Sequence, residues 1–161
     1  MNHLGLDSID NRILEILQSE GRLSNQELAD RVGLSPAPCL RRVRTLEQSG
    51  VIRQYAALLA PRKVGLGMTA AITVKLEKKG HMPAEEFAKA VKGWPEVVTC
   101  CSMTGETDYL LWAFFEDLDH YTHFLMGRLL KQTGVLDVRS NIVLETIKET
   151  TSLPLNQLNL R

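Results

Sequence analysis

The chain has little of what marks several protein classes. It holds three cysteines in 161 residues, Cys39, Cys100 and Cys101. An odd number without paired spacing excludes a disulfide scaffold and suits a reducing compartment. No apolar run approaches the roughly 20 residues that cross a bilayer. The opening MNHLGLDSIDNR has no secretory leader character, so a soluble cytoplasmic protein with no membrane partner is expected. Net charge is also lacking: 19 basic residues meet 19 acidic ones. Taken whole, that balance argues against a non-specific polyanion binder. The four histidines offer little for a metal. His120 and His123 are three apart and can share a helix face, but no third ligand is evident nearby in sequence.

The halves differ. Residues 1–63 carry nine Arg or Lys against seven Asp or Glu, a net of +2, and residues 64–161 carry ten against twelve, a net of −2. The sign favours a nucleic-acid partner for the first half. The length accommodates two small domains. The expected division is a first domain over 1–52, a strand and hinge over 53–67, and a second domain over 68–161.

In the first half, Ile9, Ile13, Ile16 and Leu17 recur at helical spacing after Asp7, a capping residue, and Gly21 ends that helix. A second helix opens at Ser24, with Glu27 three positions on, the pattern of a capping box. Leu28 and Val32 supply its apolar stripe. After Gly33, Ser35 caps a third helix, with Pro36 at the first helical position, running to about Ser49. Two capped helices joined by a tight glycine turn predict a helix-turn-helix, whose second helix reads DNA.

At about 100° per residue, Cys39, Leu40, Val43 and Leu46 fall on one arc of that helix. Ala37, Arg41, Thr45 and Gln48 fall on the opposite arc, with Arg42 and Arg44 on the flanks. Arginine bonds guanine in bidentate fashion or neutralises phosphate. Small residues at the helix start permit close approach, and the helix N-termini at Ser24 and Ser35 suit phosphate. The predicted DNA-facing set is Ser24, Asn25, Ser35, Ala37, Pro38, Arg41, Arg42, Arg44 and Thr45. The plain alternative is a solvated basic face. Arg42, at the edge of the apolar arc, has a second alternative: pairing with an acid on a neighbouring helix. Beyond Gly50, Val51 and Ile52 read as the start of a wing, with Arg53 and Tyr55 within reach of the sugar-phosphate backbone. Pro61, Gly65 and Gly67 punctuate a hinge.

The second half reads β-α-β-β-α-β: strands near Met68–Glu77, Val97–Met103, Tyr109–Phe115 and Val135–Lys148, with helices over Pro83–Lys92 and Leu118–Gln132. That order predicts an α+β fold, a ferredoxin-like sandwich with both helices on one side of an antiparallel sheet. Cys100 and Cys101 should point to opposite faces as buried thiols. Trp112, Phe114, Val143 and Ile147 make the second face apolar too, so a two-fold partner is expected to cover it. The segment Gly105-Glu106-Thr107-Asp108 stands out. Its backbone amides and its carboxylate suit the two ends of an α-amino acid, although Gly, Thr and Asp are also ordinary turn residues.

The stretches LDSIDNRILEILQSEGRLSNQELADRVGLSPAPCLRRVRTLEQSGVIRQYAALLAPRKVG, TGETDYLL and NIVLETIKETTSLP closely resemble the Lrp/AsnC (leucine-responsive, feast/famine) family of transcriptional regulators. The likeness covers almost the whole chain, and SPAPCLRRVRTLE followed by GVI is specific. The resemblance implies a winged helix-turn-helix joined to a regulation of amino-acid metabolism domain. It implies homodimers, often four to an octameric ring, in a bacterial, nucleoid-associated protein without a cofactor. It also implies an amino-acid effector, leucine or methionine, bound between dimers. By the family pattern the effector residues are Gly105, Glu106, Thr107, Asp108 and Tyr109, with Met103 and Thr104 before them and Ser140 from another subunit. Two rivals remain. Siroheme decarboxylases share the overall plan, so fold alone does not exclude an enzyme. An architectural protein would use the same basic helix with little sequence preference.

Overall fold

A computed structural model describes residues 5–77 and 82–157, with the side chains of 82 and 83 left aside. The chain forms two compact units: Met1–Leu58 together with Lys148–Arg161, and Leu59–Ile147. The last segment therefore joins the first unit, whereas the sequence reading assigned it to the second. It has few local signals of its own; distant contacts decide where it goes.

The first unit is built on α1 (Ser8–Ser19), α2 (Asn25–Val32) and α3 (Pro36–Gln48). Asp7 caps α1, its carboxylate accepting from the N–H groups of Ile9 and Asp10. Ser24 and Glu27 form the expected capping box on α2. Gly33 closes α2 at φ +76°, a backbone conformation that costs glycine little, and that sharp exit turns the chain into α3. Ser35 occupies the expected cap position of α3, but its side chain makes no capping bond. Ile13, Leu14, Leu28, Ala29, Val32, Cys39, Val43 and Leu46 make the core. Each fully buried Leu or Ile contributes roughly 1.5–3 kcal/mol. Burial pushes the Cys39 thiol pKa up. Leu40, expected on the apolar arc, is instead 37% exposed.

Val51 and Ile52 pack against this core as a bend rather than opening a hairpin, and no strand forms over 53–60 among the described residues. Val51 and Ile52 are drawn into the core, where the Ile52 N–H donates to Leu46 O at 3.0 Å. Tyr55, expected at the DNA backbone, donates its hydroxyl to Glu47 Oε1 at 3.0 Å. Partial burial, and then the Glu47 carboxylate, push its pKa up to about 12.

The second unit contains β1 (Met68–Leu76), α4 (Met82–Val91), β2 (Val97–Ser102), β3 (Tyr109–Phe115), α5 (Leu118–Phe124) and β4 (Val135–Ile142). The sheet is antiparallel in the order β2-β3-β1-β4. This is the βαββαβ arrangement the alternation predicted. In register, Ile72 pairs with Leu111 on one side and with Ser140 on the other. Ala70, Ile72, Val74 and Leu76 join Leu111, Ala113 and Phe115 beneath Phe87 and Val91 of α4 and Phe124 of α5. Trp94 packs edge-on to Phe87 and Phe124, with ring centroids 5.8 and 5.4 Å apart.

Three local expectations change here. The helix from Leu118 passes at Leu125–Leu129 into one π turn, closed by the Leu130 N–H donating to Leu125 O. β4 stops at Ile142 rather than Lys148, and Leu144 and Ile147 beyond it are exposed. Cys100 and Cys101 do pair with Leu111 and Leu110 and so face opposite ways, but both are exposed rather than buried. They lie on β2, an edge strand, whose outer side pairs with no strand among the described residues.

Candidate nucleic-acid interface and effector loop

The core residues Cys39, Val43 and Leu46 orient α3 and leave its other side in solvent. Ser35, Ala37, Arg41, Arg44 and Thr45 are exposed there, and Pro38 is half-buried. Among the described residues neither Arg41 nor Arg44 forms an ion pair. Thr45 Oγ1 donates back to Arg41 O at 3.0 Å. The Ser35 hydroxyl makes no capping bond and has no partner among the described residues, while Pro36 and Pro38 leave Ala37 as the backbone donor between them. The surface is thus positive, small at one end and wide enough in its side chains to meet phosphate and base edges.

Three members of the predicted DNA-facing set, Arg42, Asn25 and Ser24, are engaged elsewhere. Arg42 Nη1 lies 2.7 Å from Asp7 Oδ2 and 2.7 Å from Asp10 Oδ1, pinning α3 to the start of α1. The alternative weighed for Arg42, an acid on a neighbouring helix, is the one found. The Asp10 backbone N–H, and then Arg42, hold the Asp7 carboxyl below its usual range against the opposing effect of burial. Asn25 Nδ2 donates to Pro36 O at 2.8 Å, tying α2 to the start of α3, and its Oδ1 is buried. Sequence reasoning missed Asp7 and Asp10 as anchors of the recognition helix, because capping explained Asp7 and the partner sits 35 residues away. Ser24 is spent within its own capping box: its hydroxyl and N–H both donate to Glu27 Oε2. A groove of about 290 Å³ runs beside Arg42, lined by Leu6, Asp10, Arg41, Thr45, Leu46 and Ser49 among others.

In the second unit the β2–β3 connection is closed by the Met103 N–H donating to Asp108 O at 2.8 Å. Gly105 sits at φ +117°, which strains any other residue. Asp108 is held through both backbone and side chain: its N–H donates to Val74 O at 2.9 Å, and its Oδ2 accepts the Leu76 N–H at 2.7 Å. One carboxylate oxygen is therefore structural, and Oδ1 has no protein donor among the described residues. The backbone N–H groups of Thr104, Gly105, Glu106 and Thr107 likewise have no protein acceptor among the described residues. Met103, Thr104, Gly105 and Glu106 are exposed, and Thr107 is half-buried. The Tyr109 ring packs on Phe87 at 4.8 Å, and burial pushes its hydroxyl pKa up. Ser140 is not brought beside this loop. It lies on β4, across β1 from β3, with its Oγ buried and unpartnered. His3 and His81 lie outside the described residues, and His120 and His123 do not converge. His120 Nε2 faces Glu96 Oε1 at 3.5 Å, whereas His123 Nδ1 meets Asp119 O. No group of three or more His, Cys, Asp or Glu poised for a metal occurs among the described residues.

The exposed arginine face and the β2–β3 loop belong to a DNA-binding transcriptional regulator with a ligand-binding domain. Residues 6–53 match a winged helix-turn-helix DNA-binding model, and residues 69–153 match the Lrp/AsnC ligand binding domain. The chain belongs to the Lrp/AsnC family. It is 40% identical over 148 residues to the leucine-responsive regulatory protein of Escherichia coli K12, covering 92% of this chain and 90% of that one. A Neisseria meningitidis transcriptional regulator solved as a complex with L-methionine is 54% identical, with a TM-score of 0.91, covering 94% of this chain and 97% of that one. An AsnC family regulator from Agrobacterium tumefaciens is 38% identical, with a TM-score of 0.88, covering 94% and 98%. No helix among the described residues is long and apolar enough to cross a membrane.

Proposed function

We propose that this regulator binds specific duplex DNA through α3 and responds to an amino-acid effector, methionine or leucine, to control genes of amino-acid metabolism. The observation that carries the DNA reading is the exposure of Arg41, opposite the core, and Arg44, on the flank of that face, neither in an ion pair among the described residues. Ser35, Ala37, Pro38 and Thr45 complete the contact surface, and the backbone N–H groups at the start of α2, rather than the Ser24 side chain, suit phosphate. Arg42 and Asn25 act from within, by holding α3 in place.

The effector site is the loop Met103–Tyr109. Its unpaired amides suit a carboxylate, and Asp108 Oδ1 suits an ammonium group, so the loop matches both charged ends of an α-amino acid. The methionine complex of the 54% identical regulator favours methionine over leucine. The active form is a homodimer closed over the helix-free face of the sheet, where Trp112 and Phe114 lie half-buried, and four dimers form an octamer in the cytoplasm at the nucleoid. Ser140 reaches the effector from a second subunit in that assembly. An effector acts by binding differently spaced arrangements of the DNA-binding units with different affinity.

A thermal-shift screen of the twenty amino acids on the full-length protein tests the reading. A ligand at about 100 times its Kd stabilises the native state by about 2.7 kcal/mol, so methionine or leucine should raise the melting point and then shift operator affinity. A screen in which no amino acid moves either quantity removes the effector from the proposal.

A further inference from the structure

The last segment of the chain serves neither the recognition face nor the effector loop. From Lys148 onward it belongs to the DNA-binding unit, so that unit is joined to the sensor unit at two points along the chain, Leu58–Leu59 and Ile147–Lys148. The segment is ordered by its own bonds. The Ser152 N–H donates to Thr150 Oγ1 at 3.1 Å, and the Leu155 N–H donates to Leu153 O at 2.9 Å. The Gln157 N–H donates to Pro154 O at 3.2 Å. It is clasped to α1 by one side chain. The Leu153 N–H donates to Gln18 Oε1 at 2.6 Å, and Gln18 Nε2 donates to Leu153 O at 3.3 Å. A single amide thus satisfies both backbone groups of one residue, as a neighbouring strand would. Pro154 favours an extended Leu153, which presents those two groups together. Leu155 packs against the apolar core of the helix-turn-helix.

We propose that Gln18 and Leu155 are positioning residues for DNA recognition. They bind the C-terminal segment as a strap, so that each DNA-binding unit is held at two points, the covalent link at Leu58–Leu59 and the strap fastened by non-covalent contacts. A unit held at two points samples fewer orientations. Within a dimer, the second recognition helix then meets its half-site at a higher effective concentration once the first has bound. The proposal rests on the paired-unit reading above, and it concerns regulation of the DNA contact rather than the contact itself.

The test uses the full-length wild-type chain with Gln18→Ala, Gln18→Glu and Leu155→Ser. Two duplexes serve as probes: one selected from random-sequence DNA on the wild-type protein, and the same duplex with one half-site scrambled. Position 18 is a half-buried helix site where alanine is favourable, so Gln18→Ala keeps the fold. Releasing the strap should weaken binding to the intact duplex by about tenfold and leave half-site binding unchanged. Gln18→Glu retains an acceptor for the Leu153 N–H and should lose less. If the ratio of intact to half-site affinity stays at its wild-type value in Gln18→Ala and Leu155→Ser, the strap is refuted. If both duplexes weaken alike, the segment is core packing only, and the proposal is equally overturned. A wild-type protein that binds both duplexes equally well refutes the paired-unit reading without recourse to any variant, and the strap falls with it.

Discussion

Replacing Arg42 by alanine separates anchoring from reading on the recognition helix. The guanidinium makes two charge-assisted hydrogen bonds of 2.7 Å, to Asp7 and Asp10, with side-chain exposures of 31% for Arg42, 46% for Asp7 and 16% for Asp10. Hydrogen bonds to charged groups contribute about 1.5–3 kcal/mol when well shielded, whereas exposed ion pairs contribute about 0–1 kcal/mol. Partial exposure therefore places the loss at about 1–2 kcal/mol, part of it from leaving Asp10 half-buried beside another carboxylate. In a domain of 60–100 residues each 1 kcal/mol moves Tm by about 4–8 °C, so the transition of the DNA-binding unit should fall by about 4–16 °C. Circular dichroism melting of the full-length chain measures this, and fluorescence anisotropy well below the new Tm measures operator affinity, which should drop only modestly. The acid limb gives a second readout. The Asp7 carboxyl pKa is lowered in the folded state, so its contribution is present above the unfolded value of about 4 and is lost as pH falls through the folded value. Because Arg42 supplies part of that lowering, stability of Arg42→Ala should fall less steeply on acidification than that of the wild type. An unchanged Tm together with a large loss of affinity would mean that Arg42 touches DNA and that the anchoring assignment is wrong.

Three further outcomes follow from the same geometry. Arg41→Ala should leave Tm within about 2 °C but cost about 1–3 kcal/mol of operator binding, measured by competition at fixed salt; equal affinity removes Arg41 from the interface. Asp108→Asn keeps an oxygen for the Leu76 N–H but loses the charge, so it should fold normally and lose the amino-acid response, whereas Asp108→Ala should also lower Tm by leaving that amide unpaired. A full response in Asp108→Asn clears the carboxylate of any role in effector binding. The Cys39 thiol is buried with a raised pKa and should react with a thiol reagent only at the rate of unfolding of the DNA-binding unit; fast labelling of Cys39 in the native protein contradicts the core assignment.

The tail and the recognition helix show where reading the letters stopped. Ser35 has the right residue type at a cap position, yet its hydroxyl caps nothing. Leu40 sits where an apolar arc should continue, yet its arc is narrower than the pattern and ends at Cys39 and Val43. Val143–Lys148 is β-rich in composition, but β4 keeps its ladder with β1 only to Ile142, and the β1–β4 pairing ends with it. In each case the residue preference is a local tendency, and the neighbour that realises or cancels it comes from elsewhere in the chain.

What the sequence alone determined is everything that depends on neighbours three or four positions away. The periodicities of α1, α2 and α3, the Ser24–Glu27 box, the glycine at the tight turn and the alternation of β1 all act over one or two turns of chain, where the spacing of letters is the spacing in space. Tertiary structure decided which polar groups remain available. Arg41 and Arg42 are adjacent in sequence and identical in chemistry, yet one is in solvent and the other is bound to acids 32 and 35 positions away. Gln18 finds its partner 135 positions away. Hydrogen-bonding and charge complementarity saturate at contact distance, so the availability of a side chain is settled only when the folded chain brings its partner to it.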